Sequence, residues 1–259
     1  MSRRFKRIVA VSDMHCGHVV GLTPPEWWTR ALPAAELVQR AMWEHYTDTL
    51  AALQPIDALL VLGDSLDGKG HKSGGTEQIT TDMRAQVIMA EGALRQAKAR
   101  KIVMVHGTGY HVSPDGEDWE EVLADRLGAT ISGHEWAEAH GLVFDLKHHV
   151  GGSQLEHGRH TAVARDRLAN LLWSDRKLAP RAHVLLRGHV HYHAFCGGPG
   201  WLGMTLPALQ GPGSKYGVRR CSGLVHFGLV HFDVYPGGKY EWASHVLEME
   251  QACPVPVKL

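Results

Sequence analysis

Short β-branched runs alternate with longer stretches of helical period through the first half of the chain. Ile8–Ser12, Ala58–Leu62 and Ile102–Val105 are apolar and of strand length, and each stops on polar residues: Asp13, Gly63-Asp64 and His106-Gly107. Between them, Ala34–Leu53 and Glu77–Ala99 carry apolar residues at helical spacing among good helix formers such as Ala, Leu, Gln and Arg. This β-α-β-α-β order predicts a parallel sheet with right-handed crossovers, whose ligands sit beyond the carboxyl ends of the strands. Further on, Glu117–Leu127 and Arg159–Lys177 read as helices, while Leu142–Lys147 and Ala182–Arg187 read as strands running into His148-His149 and Gly188-His189. After Gly197 the texture changes to Gly- and Pro-rich turns between apolar stretches, Leu224–Val234 and Tyr240–Val246, which predicts antiparallel strands. No repeat, low-complexity tract or long linker divides the chain, so residues 1–259 are expected to form a single domain.

Charge and composition narrow the class. Lys+Arg and Asp+Glu balance at 27 each, which offers no broad basic surface of the kind that drives non-specific nucleic-acid binding. Nucleic acid remains a possible substrate without support from net charge. No apolar run approaches the roughly 18 residues of a membrane span, so no membrane association is expected. The basic opening Met1-Ser-Arg-Arg-Phe-Lys-Arg-Ile leads into a strand without the apolar stretch of a signal peptide, and a cytoplasmic protein is expected. Cys16, Cys196, Cys221 and Cys253 lie far apart with no Cys-x-x-Cys pair, a pattern of reduced packing thiols. There are 19 histidines and a single asparagine, Asn170, and both facts bear on the chemistry.

The candidate chemistry lies in an ordered series: Asp13-x-His15, Gly63-Asp64, His148-His149 and Gly188-His189-Val190-His191, each just after a predicted strand. A strand end with a tight turn projects one or two side chains from a rigid support. Carboxylate and imidazole together suit divalent Zn, Mn and Fe. Two metals about 3.5–4 Å apart need a shared ligand, and Asp64 is the candidate bridge.

The series resembles the calcineurin-like metallophosphoesterase superfamily, whose ordered blocks are Asp-x-His, Gly-Asp, Gly-Asn-His, a lone His and Gly-His-x-His. The resemblance implies an α/β fold, a four-layer α-β-β-α sandwich of two mixed β-sheets flanked by helices. It also implies two divalent metal ions, Mn, Fe or Zn, and a phosphate-ester substrate attacked by a metal-activated hydroxide. By resemblance, Asp13, His15, Asp64 and His191 hold the first metal, and Asp64, His148 and His189 the second. The family's lone His directly follows its strand, which favours His148 over His149.

Two blocks depart from the family. Where Gly-Asn-His is expected, the chain reads His106-Gly107-Thr108-Gly109-Tyr110-His111. Thr108 stands at the place of the Asn and is a poor ligand, leaving the second site to be completed by water, by His111 or by a shifted loop. His111 aligns with the residue the family uses near the leaving group and is the general-acid candidate. Protein Ser/Thr phosphatases of the superfamily carry Gly-Asp-x-x-Asp-Arg, whereas this chain has Gly63-Asp64-Ser65-Leu66-Asp67-Gly68 without Arg. That difference favours a phosphodiesterase or nuclease over a phosphomonoesterase. The words Ser12-Asp13-Met14-His15-Cys16-Gly17, Gly63 to Gly68, Gly107-Thr108-x-x-His111 and Pro207-Ala208-Leu209-Gln210 resemble a bacteriophage- and prophage-associated group. From a different class, a non-catalytic scaffold that retains the fold draws its support from the altered Asn block.

Other residues carry two readings. Asp67 either hydrogen-bonds a ligand histidine or caps the turn at Gly68. Trp27-Trp28 either stack on a base or pack a loop over the sheet, the second being favoured. His18 and His71 are expected to be solvated loop residues, and Asp115–Glu121 a helix start. Lys215, Arg219 and Arg220 form a basic cluster, read as solvated surface before phosphate clamp.

Overall fold

In the strand Lys6–Val11 (β1), Val9 and Val11 point to one side and Ile8 and Ala10 to the other, and all four are buried. Burial on both faces makes β1 a central strand and explains its unbroken apolar run. A computed structural model describes residues 4–28, 33–71, 73–113, 116–214 and 225–249 of the chain. The remaining strands are β2 (Ala58–Val61), β3 (Lys101–Val105), β4 (Thr130–Ser132), β5 (Glu135–Ala139), β6 (Leu142–Lys147), β7 (Val184–Arg187), β8 (Ala194–Gly198), β9 (Trp201–Thr205), β10 (Phe227–Val234) and β11 (Tyr240–Leu247). The helices are α1 (Pro33–Ala52), α2 (Met83–Arg95), α3 (Gly109–Val112), α4 (Trp119–Leu127) and α5 (Thr161–Asp175).

The strands form two mixed sheets, in the orders β11-β10-β1-β2-β3-β4 and β5-β6-β7-β9-β8. β1 to β4 run parallel, with β10 antiparallel to β1 and β11 to β10. In the second sheet β6, β7 and β9 are parallel, and β5 and β8 are antiparallel edges. Side chains alternate along each strand, so one set fills the space between the sheets: Ile8, Leu60, Leu62, Val103 and Val105 face Phe144, Leu146, Val184, Leu186 and Met204. The opposite set of the first sheet, Val9, Val11, Leu59, Val61 and Met104, packs under α1, α2 and α4 through Met42, Tyr46, Leu50, Val87, Leu94 and Leu123. On the far side, Ala162 and Val163 of α5 cover Leu185. The result is the four-layer α-β-β-α sandwich implied by the resemblance.

Local chemistry sets the helix limits. Asp82 caps α2 by accepting from Arg84 N at 2.9 Å, and Asp118 caps α4 by accepting from Glu120 N at 3.0 Å. The expected helix over Glu77–Ala99 is therefore shorter than its periodicity. Residues 77–79 instead pair with the loop after β1, through Val19 N to Glu77 O and Ile79 N to Gly17 O. Strands β4, β5, β8 and β9 were absent from the sequence reading. β4 is three residues long, β5 and β8 are edge strands of mostly half-buried or exposed residues, and β9, although buried, is five residues interrupted by Gly203, so none carries a long alternating pattern. Lys215, Arg219, Arg220, Cys221 and Cys253 lie outside the described residues.

At the carboxyl ends of β1, β2, β6 and β7 the two sheets are joined by hydrogen bonds. His148 Nδ1 donates to Leu62 O at 2.6 Å, and His189 N donates to both Asp13 carboxylate oxygens, at 3.1 and 2.9 Å. Gly188 N donates to His148 O at 3.0 Å, drawing the turns after β6 and β7 together.

Candidate metal centre

The turns after β1, β2 and β7 hold their polar residues in an unusual backbone conformation. Eight non-glycine residues have positive φ among the described residues, and five of them are Asp13, His15, Asp64, His189 and His191. A left-handed backbone is unfavourable for residues with a Cβ and persists where the surroundings over-determine it. Here main-chain bonds do so: Asp13 N donates to Gly63 O at 3.0 Å and His15 N to Asp64 O at 2.9 Å. Close approach adds to this, because a Cβ at Gly107 would fall on the backbone N and Oδ1 of Asp64. Only glycine lets the turn after β3 meet the turn after β2.

Three donor triads form among the described residues, each with one ligand atom per residue within 4.8 Å of its companions: Asp13, His15 and His191; Asp64, His148 and His189; and His15, Asp67 and His111, which shares His15 with the first. The first two hold the expected ligands. His15 Nε2 stands 3.2 Å from His191 Nε2, and His191 Nε2 stands 3.4 Å from Asp13 Oδ1. In the second triad His148 Nε2 lies 3.1 Å from Asp64 Oδ2. The first two triads adjoin through Asp64, whose Oδ2 is 4.0 Å from His15 Nε2.

Two of the rings, those of His15 and His148, are tied at Nδ1. His15 Nδ1 is 2.9 Å from Asp67 Oδ1, and His148 Nδ1 donates to the Leu62 carbonyl, so each ring turns Nε2 toward the centre. Donation of the far ring N–H to a carboxylate or carbonyl is the arrangement that orients metal-bound imidazoles. Asp67 thus pairs with His15, and its Oδ2 accepts from Gln78 Nε2 at 2.5 Å. The donor set therefore fits divalent Zn, Mn or Fe.

Proton affinities reflect this crowding. Burial opposes ionisation of Asp13, but His191 and His148 hold its carboxyl down at about 2. Burial likewise opposes ionisation of Asp64, and His148 and His15 keep it well below the usual carboxylate range. Burial also works against the His148 imidazolium, yet the Asp64 and Asp13 carboxylates raise it to about 10. His189 is pushed down to about 4 by burial and by His148, which leaves a neutral ring at neutral pH.

Thr108 stands within the second triad. Its Oγ1 lies 3.2 Å from Asp64 Oδ2 and 3.4 Å from both His148 Nε2 and His189 Nδ1, while its N donates to Asp64 Oδ1 at 2.5 Å. His111 lies elsewhere: its Nδ1 donates to Asp67 O at 2.8 Å and its ring meets His15 edge-on at 4.7 Å. It is near the first triad and so does not complete the second. Burial and His15 lower its pKa. His149 is exposed and lies against the His189 ring at 4.7 Å, outside all three triads.

Three further expectations meet the structure here. His18 is buried, not solvated, with its Nδ1 accepting from Val20 N at 3.1 Å and its Nε2 3.8 Å from Glu77; the pairing of residues 77–79 with this loop encloses it. His71 is exposed. Trp27 packs on the helix-side core and Trp28 Nε1 donates to Thr23 O at 3.0 Å, so both close a loop.

Two residues beside the centre escaped sequence reasoning. Gln86 accepts from Gly68 N at 2.9 Å and donates to Gly68 O at 2.8 Å, shaping the turn after Asp67. Glu120 accepts from Ser65 N at 2.8 Å and Gly107 N at 2.6 Å. Their signal was available: each is polar on the apolar face of its helix, beside Met83, Val87 and Ala90 in one case and Trp119, Leu123 and Ala124 in the other.

No protein-family profile and no curated protein matches the chain. Among solved structures it is similar to wild-type Vps29 from Entamoeba histolytica complexed with zinc, at 14% identity over 92% of this chain and 99% of that one, with a TM-score of 0.43. It is similar to a novel archaeal phosphodiesterase at 13% identity, over 92% and 99% of the two chains, with a TM-score of 0.42. A predicted phosphoesterase from Streptococcus pneumoniae shows 10% identity over 94% and 99%, with a TM-score of 0.39. The phage- and prophage-associated group finds no support among them. No helix among the described residues is long and apolar enough to cross a membrane.

Proposed function

We propose that this chain is a metal-dependent phosphoesterase that binds two divalent cations, one at Asp13, His15 and His191 and one at Asp64, His148 and His189, with Asp64 between them. The observation that carries this reading is the pair of adjoining triads, with the Nε2 atoms of His15 and His148 turned inward by Asp67 and the Leu62 carbonyl. Bound divalent cations would lower the pKa of water and neutralise charge developing on a phosphate.

The protein's own groups do the positioning. Asp64, held by Thr108 N, sets the spacing of the two halves. His111 keeps one proton at the Asp67 carbonyl through Nδ1, so Nε2 is bare in the neutral ring and would first take a proton from water before passing it to a leaving oxygen. The Gly63–Gly68 run carries no arginine, and its turn is filled by Gln86, which supports phosphodiesters over phosphomonoesters as substrates.

The test is metal analysis of the purified chain together with a Mn-reconstituted panel of aryl mono- and diesters, cyclic nucleotides and DNA. Hydrolysis of diesters above monoesters is expected. Less than one metal per chain, not recovered with Mn, would favour the scaffold reading that the Thr108 substitution keeps open.

A further inference from the structure

We propose that Glu120 is a positioning residue for the second half of the centre: its carboxylate locks the Asp64 turn to the Thr108 turn by accepting one main-chain N–H from each. The inference rests on the metal-site reading above and extends it to a residue outside all three triads.

The two N–H groups are those of Ser65, which directly follows Asp64, and Gly107, which directly precedes Thr108. Each carboxylate oxygen takes one of them, at 2.8 and 2.6 Å, so Glu120 bridges two loops that follow different strands. The loops have no slack between them: Thr108 N donates to Asp64 Oδ1, and the missing Cβ of Gly107 is what lets its backbone lie against Asp64. A displacement of either loop therefore moves Asp64 Oδ2 and Thr108 Oγ1 relative to His148 and His189.

The choice of residue fits this task. A carboxylate is acceptor-only with two oxygens, whereas a glutamine in the same place would accept one N–H and set its own NH2 against the other. Glu120 is fully buried, a costly place for an acid unless its charge is met by strong donors. Burial raises its pKa to about 6, with the two N–H groups acting in the opposite sense, so the group is ionised at neutral pH. Its position in the first turn of α4 also points a helix N-terminus at the charge.

The experiment is a titration of the full chain with Mn2+ alone, followed by calorimetry and electron paramagnetic resonance, for the wild type, Glu120→Gln and Glu120→Asp, with His189→Ala marking the second class of sites. Residues that orient ligands typically change metal affinity about 10–100-fold. Glu120→Gln is expected to weaken the second class by at least about tenfold and the first by less, since the first triad meets these two turns through Asp64 alone. Glu120→Asp, which keeps the charge but reaches one N–H, is expected to fall between. Should the Gln variant not fold, the Asp variant and the wild-type amide protons of Ser65 and Gly107, expected downfield as donors to a carboxylate, carry the test. Unchanged affinity at both classes, or equal weakening of both in step with the melting temperature, overturns the inference and leaves the metal-site reading standing. Failure of the wild type to bind Mn2+ overturns both.

Discussion

Asp67 holds the His15 ring from behind: its Oδ1 lies 2.9 Å from Nδ1, and the opposite Nε2 then faces the His191 Nε2 at 3.2 Å. Asp67→Asn keeps the size of the side chain but removes the charge. It is expected to lower Mn2+ affinity at the Asp13, His15 and His191 group by about 10–100-fold, as measured by calorimetry. An unchanged isotherm would show that the ring is oriented by packing alone.

Asp64 touches both halves, with His148 Nε2 at 3.1 Å and His15 Nε2 at 4.0 Å. Asp64→Ala should therefore lose metal from both groups and reduce aryl diester hydrolysis by at least about a hundredfold. Retained metal content and activity in a folded variant would sink the bridging role.

Thr108→Asn replaces a hydroxyl that lies 3.4 Å from His148 and from His189 with an amide oxygen, a better donor to a divalent cation. The expected outcome is about tenfold tighter binding of the second Mn2+ with the first unchanged. Equal affinities in the two proteins would indicate that the hydroxyl, or water beside it, already serves.

Gly107→Ala drives a Cβ into the Asp64 backbone. We expect a loss of about 1–3 kcal/mol by denaturant titration, as for other overpacked sites, and weakened metal binding with it. Ala tolerated without cost would mean that the two turns are free to separate.

In metal-free protein, pH dependence follows from Asp13 near 2 and His148 near 10. Asp13 is depressed on folding, so its contribution is full above about pH 4 and is lost as pH falls through 2. His148 is raised, so its contribution is full below about pH 6.5 and is lost as pH rises through 10. His189, depressed to about 4, opposes folding below about pH 6.5, so the melting temperature of the chelator-treated chain should be highest at about pH 6.5. A melting temperature that climbs steadily above pH 8 would contradict the Asp64–His148 ion pair.

What the sequence determined by itself is local. Alternation along β1, β2, β3, β6 and β7, and the polar residues that stop each run, depend on neighbours a few positions apart, and they located Asp13, Asp64, His148 and His189 at strand ends. The tertiary structure decided what those residues meet. That Glu120 reaches Ser65 across 55 positions, that Thr108 rather than His111 stands beside His148, and that residues 77–79 leave the expected helix to enclose His18 are outcomes of how the layers pack. The physical reason is that a side chain's periodicity assigns it to a face, whereas its partner depends on which other face the sandwich brings against it. The same acidic residue reads as the start of a helix in the sequence and closes two turns of the centre once α4 is laid on the first sheet.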